Sequence, residues 1–350
     1  MQYKLVALTA LLLPLGAELS TDYTAKRTLR VETDTEFSME TTEFFVEMDG
    51  EQQPGRGGGG MSSEESRSVV TLDTVMASED GAPTMVRRVF DSIESSGTMM
   101  FGENEREIEH ETPLVGLTLE ITEENVKVVD GDEPDDEAVL EGHLMGLALD
   151  AFLPEDEIEV GDSWSIDGDQ LLSAFSMDLE AALFVRPERG GEGGRGERGG
   201  RRGGRGRRGG GSPSALFREG KWTATATLES LDEEHESGTC AKISLEMACT
   251  GELPEPERGG GGRRERSVTM GASSMRPVEN SFEVKLEGAL YFLIKEQMPV
   301  LLEIEGTLAT ERTIERSTER GDFFMYNAQE GDFKHTVSIS IVETKTEDEE

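Results

Sequence analysis

The chain has 350 residues, 35% of them hydrophobic, with 34 basic and 73 acidic residues and a net charge of −39. That length allows one large β domain or two smaller ones, and so acidic a surface repels phosphate backbones and anionic lipid heads. It suits solubility, weak cation binding or a basic partner, and its plainest role is to solvate the outer faces of strands.

Met1-Gln2-Tyr3-Lys4 carries one Lys, an apolar run follows from Leu5 to Leu13, and Pro14-Leu15-Gly16-Ala17 places small residues before a cut after Ala17. This pattern predicts a signal peptide over residues 1–17 and export to the periplasm or the medium. The run is too short for a permanent membrane anchor, and Leu15 makes the cut imperfect. No Cys lies near the cut, which argues against a lipid-anchored lipoprotein. A buried first helix is the bland alternative. Residues 18–347 are then expected as a single β-rich domain, with two halves meeting near residue 165 as the alternative.

Leu29, Val31, Phe37 and Met39 fit a first strand, and Phe44, Val46 and Met48 fit a return strand. Val69 to Met76 and Met85 to Ile93 predict a hairpin around Glu79-Asp80-Gly81. Leu117, Leu119 and Ile121 fit a further strand, with Val126 to Val129 after it. The period then changes. Val139, Leu140, Leu144, Leu147, Ala148, Ala151 and Phe152 fall at helical spacing after acidic residues, and Pro154 ends the run. A second short helix is expected from Asp169 to Phe175.

The C-terminal half alternates more strictly, which is the signal of strands with one buried and one wet face. Trp222, Ala224, Ala226 and Leu228 make one strand, and the polar turn Asp232 to Gly238 leads to the next, with Ile243, Leu245, Met247 and Cys249 on one face. Phe282, Val284, Leu286, Gly288, Leu290, Phe292 and Ile294 follow. After a turn at Glu296-Gln297 come Val300, Leu302, Ile304, Gly306 and Leu308, and Phe333, His335, Val337, Ile339 and Ile341 make the last strand. Short turns between them predict an antiparallel meander.

Gly/Arg-rich stretches at 53–62, 186–213 and 255–267 interrupt the pattern and are expected as disordered loops, because they carry almost nothing to bury. Residues 186–211 hold nine Arg and three Glu. Their composition resembles nucleic-acid-binding segments, but no aromatic residue is there to stack on bases, and export leads away from nucleic acid. A flexible insertion, or a cationic loop docking on an acidic partner or on its own acidic body, fits better.

Gly251, Gly288 and Gly306 each sit inside an apolar face. Interior Gly marks a bend, or makes room for a bulky neighbour or a crossing helix; both uses stay open. The expected fold class is mainly β: a large curved antiparallel sheet, as a half-barrel or open barrel, with one or two packed helices.

The two cysteines, Cys240 and Cys249, would pair by default in an exported chain. On one strand, however, nine residues span about 30 Å and the odd separation points the side chains to opposite faces, whereas a disulfide needs Cα atoms within about 7 Å. Cys249 therefore reads as a core residue and Cys240 as a polar-face thiol or strand start, unless a bulge intervenes.

Candidate chemistry is sparse. Ser163, in Val160-Gly161-Asp162-Ser163-Trp164, lacks the second Gly of a nucleophile elbow, since Ser165 occupies that position. His110, His143, His235 and His335 have no zinc-binding spacing. His335 reads as a satisfied, partly buried residue and His143 as an exposed helical one. Asp130, Asp132 and Glu141 match the first, third and last positions of a calcium loop, but Pro134 takes a ligand position and Asp135 replaces the required Gly. With Asp136 and Glu137, this cluster reads as helix-start electrostatics. No catalytic, cofactor-binding or metal-binding residues are assigned, and no cofactor is expected.

Thr112-Pro113-Leu114-Val115-Gly116-Leu117, Phe152-Leu153-Pro154 and Val160-Gly161-Asp162-Ser163-Trp164 occur in that order. Over residues 112–175 this resembles a family of uncharacterised secreted bacterial proteins with a V-G-D-S-W turn. The resemblance implies a β-rich secreted fold and no particular activity. A curled sheet with a covering helix is also similar, at fold level only, to periplasmic lipoprotein carriers. The expectation is a non-enzymatic, soluble envelope protein with a structural or protein-interaction role. The alternatives are a carrier of an apolar (lipid or lipoprotein acyl) ligand and an unrecognised hydrolase.

Overall fold

The computed structural model describes residues 17–24, 26–53, 60–134, 136–177, 179–185, 213–253, 276–318 and 321–342. The expected leader up to residue 16 lies outside them, as do residues 54–59, 186–212 and 254–275, which contain most of the Gly/Arg-rich stretches. Residues 60–62 and 213, also expected as loop, are ordered parts of the fold.

Thirteen described strands form one open antiparallel sheet, not closed into a barrel. They are β1 (Thr28–Met48), β2 (Glu51–Gln52), β3 (Met61–Glu79), β4 (Ala82–Phe101), β5 (Asn104–Glu107), β6 (Thr118–Thr122), β7 (Val126–Asp130), β8 (Ser163–Ser165), β9 (Lys221–His235), β10 (Gly238–Glu252), β11 (Arg276–Leu293), β12 (Met298–Thr318) and β13 (Gly321–Val342). The order across the sheet is β7-β6-β4-β3-β1-β13-β12-β11-β10-β9-β8, with β2 paired to β1 and β5 to β4. The C-terminal strand thus closes onto the N-terminal one, β1 against β13 over almost their whole length. At about 3.3 Å per residue, the longest strands reach about 70 Å.

One face of this sheet is dry. Phe37, Leu245, Leu286, Leu302 and Phe333 lie on it, buried to 8% exposure or less. Its cover is the N-terminal segment 17–23, a 3₁₀ turn (Ala148–Phe152) and three short helices: α1 (Gly168–Ala174), α2 (Glu180–Leu183) and α3 (Pro213–Glu219). Two apolar clusters result. The larger spans β1 and β9 to β13 with Phe152, Leu171, Phe175 and Phe217. The smaller joins Phe90 and Ile93 of β4 and Leu119 and Ile121 of β6 to α2. The N-terminal segment is tied down by polar contacts: Thr21 donates to Asp150 at 2.6 Å, the Tyr23 hydroxyl donates to the same carboxylate, and it accepts from the Leu147 amide at 2.6 Å. Ala17, the last residue of the expected leader, pairs with Ile158.

Local chemistry accounts for most elements. Asp80 and Gly81 both take positive φ, 51° and 81°, as a two-residue hairpin turn requires. α1 begins one residue before the expected helix, because Asp167 caps it in a reciprocal capping box with Gln170.

Two expectations are corrected. Residues 28–48 form one continuous strand, not a strand and its return. A register shift between Thr41 and Glu43 moves the apolar parity from odd to even, and a parity change within one bulged strand looks like a new strand in sequence. Residues 139–152 do not form a single helix. They contain two 3₁₀ turns, Glu137–Leu140 and Ala148–Phe152. Between them Gly142 has φ of 82°, which breaks a right-handed run.

The interior glycines stand where a neighbour, backbone or ring, comes too close for a side chain. A Cβ on Gly306 would lie 1.9 Å from the Lys285 carbonyl oxygen, and one on Gly288 would lie 2.2 Å from that of Glu303. At these positions the neighbouring backbone passes too close for any side chain. At Gly251 the space is taken by the Phe282 ring, 2.7 Å from the added atom. The three do not sit side by side: Gly288 faces Ile304, Gly306 faces Leu286, and Gly251 faces Phe282.

Gly306→Ala is expected to destabilise the protein by about 2–4 kcal/mol, since backbone must shift. Gly60→Ala, whose added Cβ meets only the Thr41 carbonyl oxygen at 3.9 Å, should change stability by less than about 0.5 kcal/mol. Urea unfolding of both variants checks this pair.

Candidate functional sites

The inner face carries charge as well as carbon. Counting six residues back from Glu79 and six forward from Ala82 brings Asp73 opposite Arg88 across the β3–β4 hairpin. Both are buried, at 5% and 8% exposure. The guanidinium forks onto the carboxylate, with Nε 2.8 and 3.1 Å from its two oxygens and Nη2 2.6 Å from one, and it also donates to the Leu144 carbonyl at 3.3 Å. Burial pulls the Arg88 group down, and Asp73 more than offsets this, so the cation is held above its usual range. Nearby, Arg67 bridges Glu65 at 2.6 Å and Glu180 of α2 at 2.5 Å, with its guanidinium 5.0 Å from the centre of the Phe184 ring.

These pairs border a cavity of about 130 Å³ lined also by Thr33, Thr71, Leu147, Phe175 and Ile339. It lies between the two apolar clusters, touching residues of both. Typical ligand pockets run to about 300–1,000 Å³. The cavity therefore admits only a small group while its cover stays in place.

Three histidines are drawn into structural roles. His335 is fully buried, not partly; its Nδ1 pairs with the Thr35 hydroxyl at 2.9 Å and its Nε2 has no hydrogen-bond partner among the described residues. His143 is buried at 9%, not exposed, because no helix forms to turn it outward; Nε2 meets the Val139 carbonyl at 3.2 Å. Burial lowers both rings to about 4, with Arg88 adding to the effect at His143. His110 packs beside Ser95 at 2.8 Å. His235 is the last residue of β9 and accepts from the Ser237 amide at 3.2 Å.

The other sequence candidates stay apart. Ser163 pairs with the Thr227 hydroxyl at 2.8 Å on an exposed edge. Trp164 anchors that turn by donating to the Phe152 carbonyl at 3.2 Å. Asp136 caps the 3₁₀ turn through the Ala138 amide at 3.0 Å, an electrostatic role of the kind expected for its cluster; Asp135 lies outside the described residues. Cys240 and Cys249 are free and buried. Cys240 is a core thiol rather than a polar-face one, because register shifts beside it turn it inward. Burial raises both thiols, Cys249 to about 12, which keeps it protonated and inert.

A second concavity is open and much larger, about 1110 Å³. It crosses β4, β3, β1, β13, β12 and β11 and is walled by Glu107, Ile108, Glu109 and His110. Among the described residues seven exposed carboxylates line it, Glu36, Glu64, Glu107, Glu109, Glu287, Glu305 and Asp332, along with half-buried Glu65 and one cation, Lys334. The register explains the field. Glu246, Glu287 and Glu305 lie directly opposite one another on β10, β11 and β12, with Lys334 and Glu36 next in the row. Like charges so placed repel, at about 0.2–1 kcal/mol per pair, and a cation would relieve them. Among the described residues no three His, Cys, Asp or Glu side chains converge as metal ligands would. The carboxylates are arrayed along a surface. Sequence reading missed both this row and the Asp73–Arg88 pair, though a charged residue at apolar parity on each arm of one hairpin was a usable signal for the pair.

No family model matches the chain, and no curated protein matches it. Among solved structures it is similar to lipovitellin, from a study of lipid–protein interactions, at 6% identity and a TM-score of 0.37. That match covers 93% of this chain and 26% of the other, so the chain spans about a quarter of lipovitellin's length. It is also similar to the outer-membrane protein OprG of Pseudomonas aeruginosa (6% identity, TM-score 0.22, 91% and 98% covered) and to an outer-membrane channel of Pseudomonas putida F1 (9%, 0.14, 92% and 98%). At these scores the likenesses carry no argument about this chain. Among the described residues no helix is long and apolar enough to cross a membrane.

Removing one partner of the buried pair, as in Asp73→Ala, should cost about 3–5 kcal/mol, while the double change Asp73→Leu/Arg88→Met should recover most of it; urea unfolding of both reads the difference. Acid titration tests the histidines. Their folded rings protonate only near 4, and the unfolded rings do so near 6.5. The unfolded state therefore holds more protons between those values, and stability is expected to fall as pH drops from about 6.5 to about 4, by about 3 kcal/mol per ring. His335→Gln should flatten that slope.

Proposed function

We propose that this chain is an exported, non-enzymatic binding protein of the cell envelope whose acidic groove holds an extended cationic polypeptide. The observation that carries this reading is the array of seven exposed carboxylates around one lysine in a groove of about 1110 Å³. Its size is right for a peptide, while the interior cavity, at about 130 Å³, is small. Its charge excludes nucleic acid. Its arrayed geometry suits a repeating cation better than a single ion. The signal-peptide pattern of residues 1–17 supports export.

An apolar-ligand role is the second reading, and the interior cavity favours it. That cavity bounds the ligand to a group of a few heavy atoms, since Phe152, Phe175, Phe217 and Phe333 already fill the adjoining core.

The test is fluorescence anisotropy with a labelled nona-arginine peptide at about 20 and 500 mM salt. It uses the whole chain and a form whose nine arginines between 186 and 208 are glutamine, so that the chain's own cations do not compete. Salt-sensitive binding to the glutamine form is expected, and Glu36→Gln/Glu287→Gln/Glu305→Gln in that form should weaken it at least tenfold. No binding, or binding indifferent to those three glutamates, overturns the reading.

A further inference from the structure

We infer that the groove's resident occupant is the chain's own arginine-rich segment, residues 186–212, docked in cis. The inference rests on the reading of the groove as a polycation site and names what fills it.

The argument begins with position. Residues 186–212 lie outside the described residues, but both ends of the segment are placed. It leaves from Val185, two residues after α2 ends, and returns at Pro213, where α3 begins. Val185 is pinned to Glu111 by two backbone hydrogen bonds: the Glu111 amide donates to its carbonyl at 2.7 Å and its own amide donates back at 2.9 Å. Glu111 directly follows His110, the last residue of the groove wall. The segment therefore starts at the groove's rim.

Charge is the second strand of the argument. The seven exposed carboxylates and Lys334 leave the groove six negative charges in excess. Nine arginines and three glutamates leave the segment six positive charges in excess. Its densest part is Arg198, Arg201, Arg202, Arg205, Arg207 and Arg208, with no acid between them. The intervening glycines remove side chains that would hold the backbone away from the sheet. Guanidinium groups fork onto carboxylates more effectively than ammonium groups do.

Reach is ample. Arg198 is thirteen residues from the anchor at Val185. A Gly-rich chain of that length has a root-mean-square span of roughly 20 Å and a limit of roughly 43 Å. Tethering at this length gives an effective concentration of order millimolar. A free cationic peptide must therefore displace the segment, and the groove's affinity for outside partners is set by that competition.

Trypsin, which cuts after arginine, tests docking on the full chain. At about 20 mM salt, cleavage after Arg198 to Arg208 should be at least tenfold slower than in a free peptide of residues 186–212. At about 500 mM salt, where surface charge is screened, the protection should vanish. Glu36→Gln/Glu287→Gln/Glu305→Gln should abolish it at low salt while the circular dichroism spectrum is unchanged. Cleavage as fast as in the free peptide at low salt overturns the inference. So does light scattering that shows a low-salt dimer dissolving at high salt, because the segment then fills a second copy's groove. The peptide titration separates the two readings. Tighter binding of nona-arginine to the glutamine form than to the whole chain, by tenfold or more, supports docking in cis. Equal binding to both forms removes this inference and leaves the groove reading standing, whereas no binding to either removes both.

Discussion

An open antiparallel sheet must bury one face and leave the other in water, and everything else in this protein follows from how that division is kept over strands of up to about 70 Å. The inner face needs a lid, which short helical segments and the N-terminal stretch provide. The outer face needs polar side chains, which the chain supplies mostly as Glu, Asp, Ser and Thr. Because the strands are antiparallel and in regular register, outer-face residues line up in rows across the sheet. Rows of one sign build a field that no single residue would make.

Charge on the inner face is handled differently. Asp73 and Arg88 neutralise each other across one hairpin, and Arg67 is shared between Glu65 and Glu180. Such pairs contribute little net stability against apolar replacements. They do oppose a slip of the hairpin, since moving one strand by one residue would turn a charge outward and leave its partner buried and alone. The same pairs border the cavity that lies between the two apolar clusters. Buried His335 adds the same kind of constraint in the middle of the sheet, where β13 meets β1 and the ring reaches Thr35.

The strands of the C-terminal half were readable because period-2 alternation with one dry face leaves a direct mark on sequence. The Asp80-Gly81 turn and the Asp167 cap were readable for the same reason: each is a local demand met by a particular residue type. The 28–48 strand was misread because a bulge inverts parity without a turn, and the 139–152 helix because apolar spacing alone ignored Gly142 and Gly146. The candidate sites were mostly illegible. The groove's carboxylates come from five strands and one wall, with sequence positions from 36 to 332, and nothing local distinguishes Glu287 or Glu305 from the many other acids.

Sequence by itself determined the excess of negative charge, the β-rich class and the separate arginine-rich segment, since each is carried by composition or by neighbours along the chain. Tertiary structure alone decided strand order, the pairing of β1 with β13, the burial of His143 and Cys240, and the meeting of Glu246, Glu287 and Glu305 in one row. Those depend on which distant strands become adjacent and in what register, and only the packing of the whole sheet against its cover selects that.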